Sequence, residues 1–228
     1  MSQISLNAPG LFDLSGRIAL VTGAGSGIGQ RIAIGLAQCG ADVALVDRRT
    51  DSGLAETAGF IAQAGRRSLQ LSADVTSAAA MAEAVARTQA DLGPLRLAVN
   101  AAGIANANPC EDMAEDQYQT LMDINMKGVW LSCQAEARAM LAHGKGGSIV
   151  NFSSTAGLQG FARRAPYATA KWGVIGFTKT LAMELGPFGI RVNAICPGPV
   201  EGDRMDRVIA AEAKKTGQSE EDVRRHVT

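Results

Sequence analysis

Short apolar runs alternate along the chain with longer stretches whose apolar residues recur at helical spacing. "RIALVTG" (17–23) has the length and continuous apolarity of a strand buried on both faces. In "GIGQRIAIGLAQCG" (27–40), Ile28, Ile32, Ile34, Leu36 and Ala37 gather toward one side, and Gly40 closes what reads as a helix. The alternation continues with "ADVALVD" as a second strand, "SGLAETAGFIAQAG" as a second helix, "RSLQLSAD" as a third strand and "SAAAMAEAVARTQADLG" as a third helix. "LRLAVNAAG", "GSIVNFSS" and "IRVNAICPG" supply three more strands, separated by a long helix over roughly 115–142 and another over about 166–186. Repeated strand–helix–strand units predict an α/β fold, a doubly wound parallel sheet with helices on both faces in three layers. No repeat, low-complexity segment or linker divides residues 1–228, so a single domain is expected.

Composition narrows the partners. A chain of 228 residues with 46% hydrophobic and 19% charged residues can bury one sizeable core. Its formal net charge is 0 and it carries no long run of like charge, which argues against nucleic acid or an anionic membrane and leaves a small molecule. Cys39, Cys110, Cys133 and Cys196 lie far apart, and the only histidines are His143 and His226, so no metal site is spelled out. Scattered cysteines read as reduced, mostly buried residues of an intracellular protein. The opening "MSQISLNAPGLFDLSGR" lacks a basic start followed by an apolar stretch, and no run approaches the ~18 apolar residues of a membrane span; a cytoplasmic location is expected.

The first strand-to-helix junction carries chemistry. "TGAGSGIG" sets Gly23, Gly25, Gly27 and Gly29 where residues without a Cβ let backbone N–H groups and a helix N-terminus approach a pyrophosphate. The pattern is T-G-x-x-x-G-x-G rather than G-x-G-x-x-G. Asp47 ends the second strand 18 residues after Gly29, where a carboxylate accepts hydrogen bonds from the adenosine ribose and repels a 2′-phosphate. That favours NAD over NADP. Arg48 and Arg49 follow, as solvated residues or as a phosphate or adenine contact.

"APYATAKWGV" (165–174) sets Lys171 four positions after Tyr167. On a helix the two side chains share a face, and a cation beside a phenol favours the phenolate. Taken alone, Tyr-x-x-x-Lys is a weak pattern that favours a packed ring with an exposed lysine.

Several motifs in order resolve the choice: "TGAGSGIG", Asp47, "ADV" with Asp74, "NAAG" at 100–103, "IN" with Asn125, "NFSS" with Ser154, "YATAK", and "PGPV" at 197–200. From about Gly16 to Met205 the chain resembles the short-chain dehydrogenase/reductase family in its common single-domain branch, with a Rossmann-like fold. The resemblance implies Tyr167 as general acid/base and Lys171 as the cation that lowers its pKa and binds the nicotinamide ribose. It implies Ser154, not Ser153, as the hydroxyl that holds the substrate oxygen. Asn125 would interrupt the long helix and anchor a water that links Lys171 to solvent. Gly23, Ser26, Gly27, Ile28, Gly29, Asp47, Asp74, Val75, Asn100, Ala101, Gly103, Pro197, Gly198 and Val200, with Tyr167 and Lys171, would line the NAD site. The implied reaction interconverts a secondary alcohol and a ketone, without a metal. A homo-oligomer, a tetramer or a dimer, would form on the long helices.

Two departures qualify the pattern. "PGPVEGD" has Gly202 where the family often has Thr or Ser, and the chain stops at "SEEDVRRHVT" before the usual last helix and strand. The pocket segments are "IANANPCED" (104–112), "LQGFARRAP" (158–166) and a lid over 201–215. Arg163 and Arg164 read there as solvated or subunit-contact residues, or else as partners for a substrate carboxylate or phosphate. A sugar, polyol or hydroxy acid is the preferred substrate, with NADP-dependent reduction of acyl or cyclic ketones as the alternative. A non-catalytic nucleotide sensor or truncated scaffold is the reading from another class.

Overall fold

A computed structural model of the chain describes residue 10, residues 12–48 and residues 52–227. Arg49 lies outside the described residues, as does most of the opening segment read above. Six strands form one parallel sheet: β1 (Ile18–Thr22), β2 (Asp42–Asp47), β3 (Ser68–Ser72), β4 (Leu95–Asn100), β5 (Gly147–Phe152) and β6 (Ile190–Ile195). Their order is β3-β2-β1-β4-β5-β6, so the winding reverses between β1 and β4. A crevice at such a reversal, beyond the carboxyl ends of the strands, is where a doubly wound sheet binds ligands.

The helices are α1 (Gly27–Gln38), α2 (Ser52–Gln63), α3 (Ala78–Asp91), α4 (Glu115–Met122), α5 (Gly128–His143), α6 (Ala165–Leu185), α7 (Asp203–Thr216) and α8 (Glu220–Val227). Alternate residues of the central strands feed two cores, as the two-residue period of a strand demands. Ala19 and Val21 of β1 and Val43 and Leu45 of β2 pack with Ala33 and Ala37 of α1 and Leu54 and Ile61 of α2. On the other face, Leu20, Ala44 and Val46 meet Met81 and Val85 of α3, Val129 and Met140 of α5, and Val174 of α6. Buried on both sides, β1 has no exposed position, which is why it reads as an unbroken apolar run.

The long helix expected over 115–142 is not continuous. A π-helical turn, Asp123–Lys127, separates α4 from α5. One wider turn moves its residues around the helix axis, and π turns of this kind are frequent at functional sites. The lid segment forms α7, and Ile209 and Ala213 pack with Val223 of α8 in a small cluster separate from the two main cores. Gly202 caps α7 at φ +134, a conformation that L side chains rarely adopt, so the missing Thr or Ser has a local backbone cause.

Candidate active site

The glycine turn is built by close backbone approach. Gly23 has φ +70, and a Cβ there would lie 2.9 Å from both N and Cα of Ala102, the residue that leaves β4. A Cβ on Gly29 would strike the carbonyl oxygen of Gly23, so α1 sits on the turn only because both are glycine. Gly27 has φ +56 with nothing within 4 Å of where a Cβ would be. Ser26, at the N-cap, makes no side-chain cap bond to the first turn of α1. The result is an open concavity edged by helix N–H groups, the donor set a pyrophosphate needs.

Asp47 belongs to the same concavity. Its Oδ2 accepts the Gly25 N–H at 3.2 Å, which holds the carboxylate at the rim of the turn, half-buried. Asp74 accepts Thr76 N at 2.9 Å and Thr76 Oγ1 at 2.8 Å, and these bonds hold its carboxyl below the usual carboxylate range. Val75 packs so closely on the start of α5 that a Cβ on Gly128 would lie 2.7 Å from its Cγ2. Asn100 is different: its side chain is 1% exposed and turned into the core, so only its backbone and the residues after it, Ala101 to Gly103, remain for a cofactor face.

The catalytic candidates converge from α6, β5 and the π turn. Lys171 is 5% exposed and donates from Nζ to the Phe152 carbonyl at 2.7 Å. Its own carbonyl accepts the Ser153 hydroxyl at 2.8 Å, so the end of β5 and the first turns of α6 grip each other. Ser153 is thereby a buried clamp, and Ser154, half-buried, accepts Ala156 N at 3.2 Å and opens the turn Thr155–Gly157. The Tyr167 ring centroid lies 5.7 Å from Lys171 Nζ and 5.9 Å from Arg164 Cζ. Asn125, fully buried on the π turn, accepts Ile104 N at 3.0 Å and donates to Ile104 O at 2.8 Å. A Cβ on Gly103 would lie 2.7 Å from Asn125 Oδ1 and 3.8 Å from Lys171 Nζ, which brings Gly103, Asn125 and Lys171 into one cluster. From β6, Ile195 O and Pro197 O accept Ser153 N at 2.8 Å and Thr155 N at 2.9 Å, setting Pro197 and Gly198 beside Ser154, with Val200 exposed beyond.

Some contributors were not singled out in the sequence. Thr22 Oγ1 accepts Ala102 N at 3.3 Å and ties the two sides of the crevice together. Behind the crevice, Asn100 Nδ2 lies 3.0 Å from both Glu136 Oε2 and Asn151 Oδ1, and Asn151 Nδ2 donates to Thr178 at 3.0 Å. Burial pushes the Glu136 carboxyl up to about 7, despite the bond from Asn100. Burial also pushes the Cys133 thiol well up, with Glu136 adding to the effect. An acid within the apolar stripe Val129, Cys133, Ala137, Met140 was the available signal. In the pocket loop, Arg163 has φ +63, the one non-glycine with positive φ among the described residues, a conformation that costs about 1–2 kcal/mol.

Residues 17–213 match the family described as short chain dehydrogenase, so the chain belongs to the short-chain dehydrogenase/reductase family. It is an NAD(P)-dependent oxidoreductase. Trans-4-hydroxycyclohexanecarboxylate dehydrogenase of Sinomonas cyclohexanicum is 43% identical over 190 residues, 81% of this chain and 73% of that protein. The 2-dehydro-3-deoxy-D-gluconate 5-dehydrogenase of Escherichia coli K12 is 34% identical over 203 residues, 89% and 79% of the two chains. Carveol dehydrogenase from Mycobacterium avium, solved in complex with NAD, superposes with a TM-score of 0.82 at 33% identity, covering 87% of this chain and 78% of that one.

Proposed function

We propose that the protein interconverts a secondary alcohol and a ketone of the sugar, polyol or hydroxy-acid class, with NAD as the preferred cofactor. The observation that supports the reading is Lys171, which reaches the end of β5 at Phe152 and lies with Asn125 beside Gly103, with the Tyr167 ring centroid 5.7 Å from its Nζ and Ser154 shortly after Phe152 in the chain. The open cradle at Gly27, the uncapped N-terminus of α1 and the carboxylate of Asp47 suit a pyrophosphate and an adenosine ribose. When bound there, the nicotinamide supplies the hydride acceptor for oxidation or the hydride donor for reduction.

Tyr167 takes the carbinol proton in one direction and returns it in the other. Ser154 holds the substrate oxygen through its hydroxyl. Lys171, fixed by the Phe152 carbonyl, supplies positive charge that stabilises the phenol oxygen as the proton leaves. Asn125 holds the Ile104 backbone and the π turn in register with Lys171. A set of this kind, with the lysine beside the acid/base residue fastened to the end of β5, supports catalysis over a purely nucleotide-binding role. The sugar-acid and hydroxy-acid names of the two similar dehydrogenases support the substrate class.

One domain holds both sites in this reading, and the active form is a homo-oligomer in the cytoplasm. Trp130 of α5, with Trp172 and Met183 of α6, are 45%, 53% and 80% exposed, which supports a protein contact on those helices. No helix among the described residues is long and apolar enough to cross a membrane. The deciding experiment follows nicotinamide absorbance while hydroxy acids, polyols and cyclic alcohols are offered with NAD or NADP. Turnover of none of them with either cofactor would remove the reading.

A further inference from the structure

Arg163 and Arg164 are neighbours in sequence but go to different places. The left-handed backbone of Arg163 (φ +63) lets its carbonyl accept Asn108 N at 3.0 Å, which joins the 104–112 loop to the 158–164 loop. Its guanidinium reaches Glu212 of α7 at 3.0 and 3.3 Å, so it ties the loop to the lid helix. Arg164, half-buried immediately before α6, instead lies with its Cζ 5.9 Å from the Tyr167 ring centroid, while Lys171 approaches the same ring at 5.7 Å. Two cations therefore approach the ring of the phenol at which the carbinol would react. Lys171 is turned into the protein, onto the Phe152 carbonyl.

We infer that Arg164 is the residue that reads an anionic group on the substrate, and that this group is a carboxylate carried a few carbon atoms from the reacting carbinol. The inference rests on the proposed role of Tyr167 and narrows the substrate to small hydroxy acids. A guanidinium presents a planar fork that matches a carboxylate with two parallel hydrogen bonds, a geometry that an amide or hydroxyl cannot complete. Its nearness to the phenol sets the scale: acid and carbinol belong to one compact molecule, because the cation lies alongside the ring. Arg163 serves a different purpose. Its backbone bond to Asn108 and its pair with Glu212 join the two loops to α7.

The test compares hydroxy acids with their neutral carboxamides: trans-4-hydroxycyclohexanecarboxylate, D-gluconate and 3-hydroxybutyrate. It uses the parent, Arg164→Gln, Arg164→Lys and Arg163→Gln. Two readouts are taken, kcat/KM for NAD reduction and calorimetric affinity for the NADH-bound enzyme. At least one acid should exceed its carboxamide by about tenfold or more in the parent, the scale of a charge-assisted bidentate pair. Arg164→Gln should bring that ratio near one, chiefly through KM, Arg164→Lys should restore part of it, and Arg163→Gln should keep it. A parent ratio near one for all three pairs, or a ratio that survives Arg164→Gln, overturns the inference. The two readings fail differently. An Arg164-dependent preference in calorimetry with no turnover of any alcohol removes the dehydrogenase reading and keeps the anion site, whereas turnover without acid preference does the reverse.

Discussion

The carboxylate of Asp47 accepts the backbone N–H of Gly25 at 3.2 Å, so the acid that ends β2 is fastened to the turn that ends β1. The packing is tight on that side as well: a Cβ on Gly25 would lie 3.1 Å from the same Oδ2. A negative charge held there can accept ribose hydroxyls and repels a phosphate on the same ribose. Asp47→Ala should therefore lower NAD affinity and raise NADP affinity, narrowing their ratio by roughly tenfold or more, the scale of one charge-assisted hydrogen bond and one repulsion removed. Fluorescence titration with NADH and NADPH checks it. A parent protein that already binds NADPH as well as NADH would contradict the role given to Asp47 and turn attention to Arg48.

Tyr167→Phe keeps the ring and its packing but deletes the one oxygen assigned to exchange a proton with substrate. NADH binding should survive, and kcat should fall by roughly two or more powers of ten, the usual scale for a lost general acid/base. Lys171→Met should differ in kind. Its ammonium is bonded to the Phe152 carbonyl and lies near Gly103, so its loss should weaken cofactor binding as well as turnover. Near-parental turnover by Tyr167→Phe on a confirmed substrate would return "YATAK" to an ordinary packed helix.

The exposed Trp172 and Met183 lie on α6, the helix that also carries Tyr167 and Lys171. If these side chains meet a second copy, light scattering should report a dimer or larger species. Trp172→Glu should then shift it toward monomer, because an interface core tolerates an unpaired charge poorly. A parent protein that stays monomeric at micromolar concentration refutes the contact.

The sheet was legible because its strands are short apolar runs spaced by helices, and each observed strand lies within the stretch read for it. The glycine turn and Asp47 were legible for a similar reason, since both sit at a strand end whose position the pattern defines. The choice of Ser154 over Ser153 came from the resemblance, and what the structure adds is that the Ser153 hydroxyl is bonded to the Lys171 carbonyl. Asn125 could not be reached from periodicity. A single π turn adds one residue within an otherwise helical stretch, and a 3.6-residue apolar period does not say where that extra residue sits. Arg163 and Arg164 looked equivalent because their divergence lies in one φ angle, which a composition-based reading does not contain.

Glu136 yields the last prediction, because it is a carboxyl with no route to water. It is fully buried, its Oε2 accepts from Asn100 at 3.0 Å, and its Oε1 has no hydrogen-bond partner among the described residues. Burial raises its folded-state value to about 7 from an ordinary 4.5. The folded protein therefore holds a proton that the unfolded chain releases, and stability must decline as pH rises between those two values. The contribution is complete below about pH 4.5 and is lost through about pH 7, beyond which the ionised form costs on the order of 3 kcal/mol. Glu136→Gln keeps the volume and an acceptor for Asn100 but cannot ionise. Chemical denaturation at about pH 5 and about pH 9 should show the variant gaining on the parent at the higher pH by a few kcal/mol, with little difference at the lower. Because Asn100 leads directly into Ala101 to Gly103, NADH affinity of the parent should weaken over the same interval while the variant's stays flat. Equal pH dependence of stability in the two proteins would mean that Glu136 is ionised in the fold, and that the buried network has found another partner for its charge.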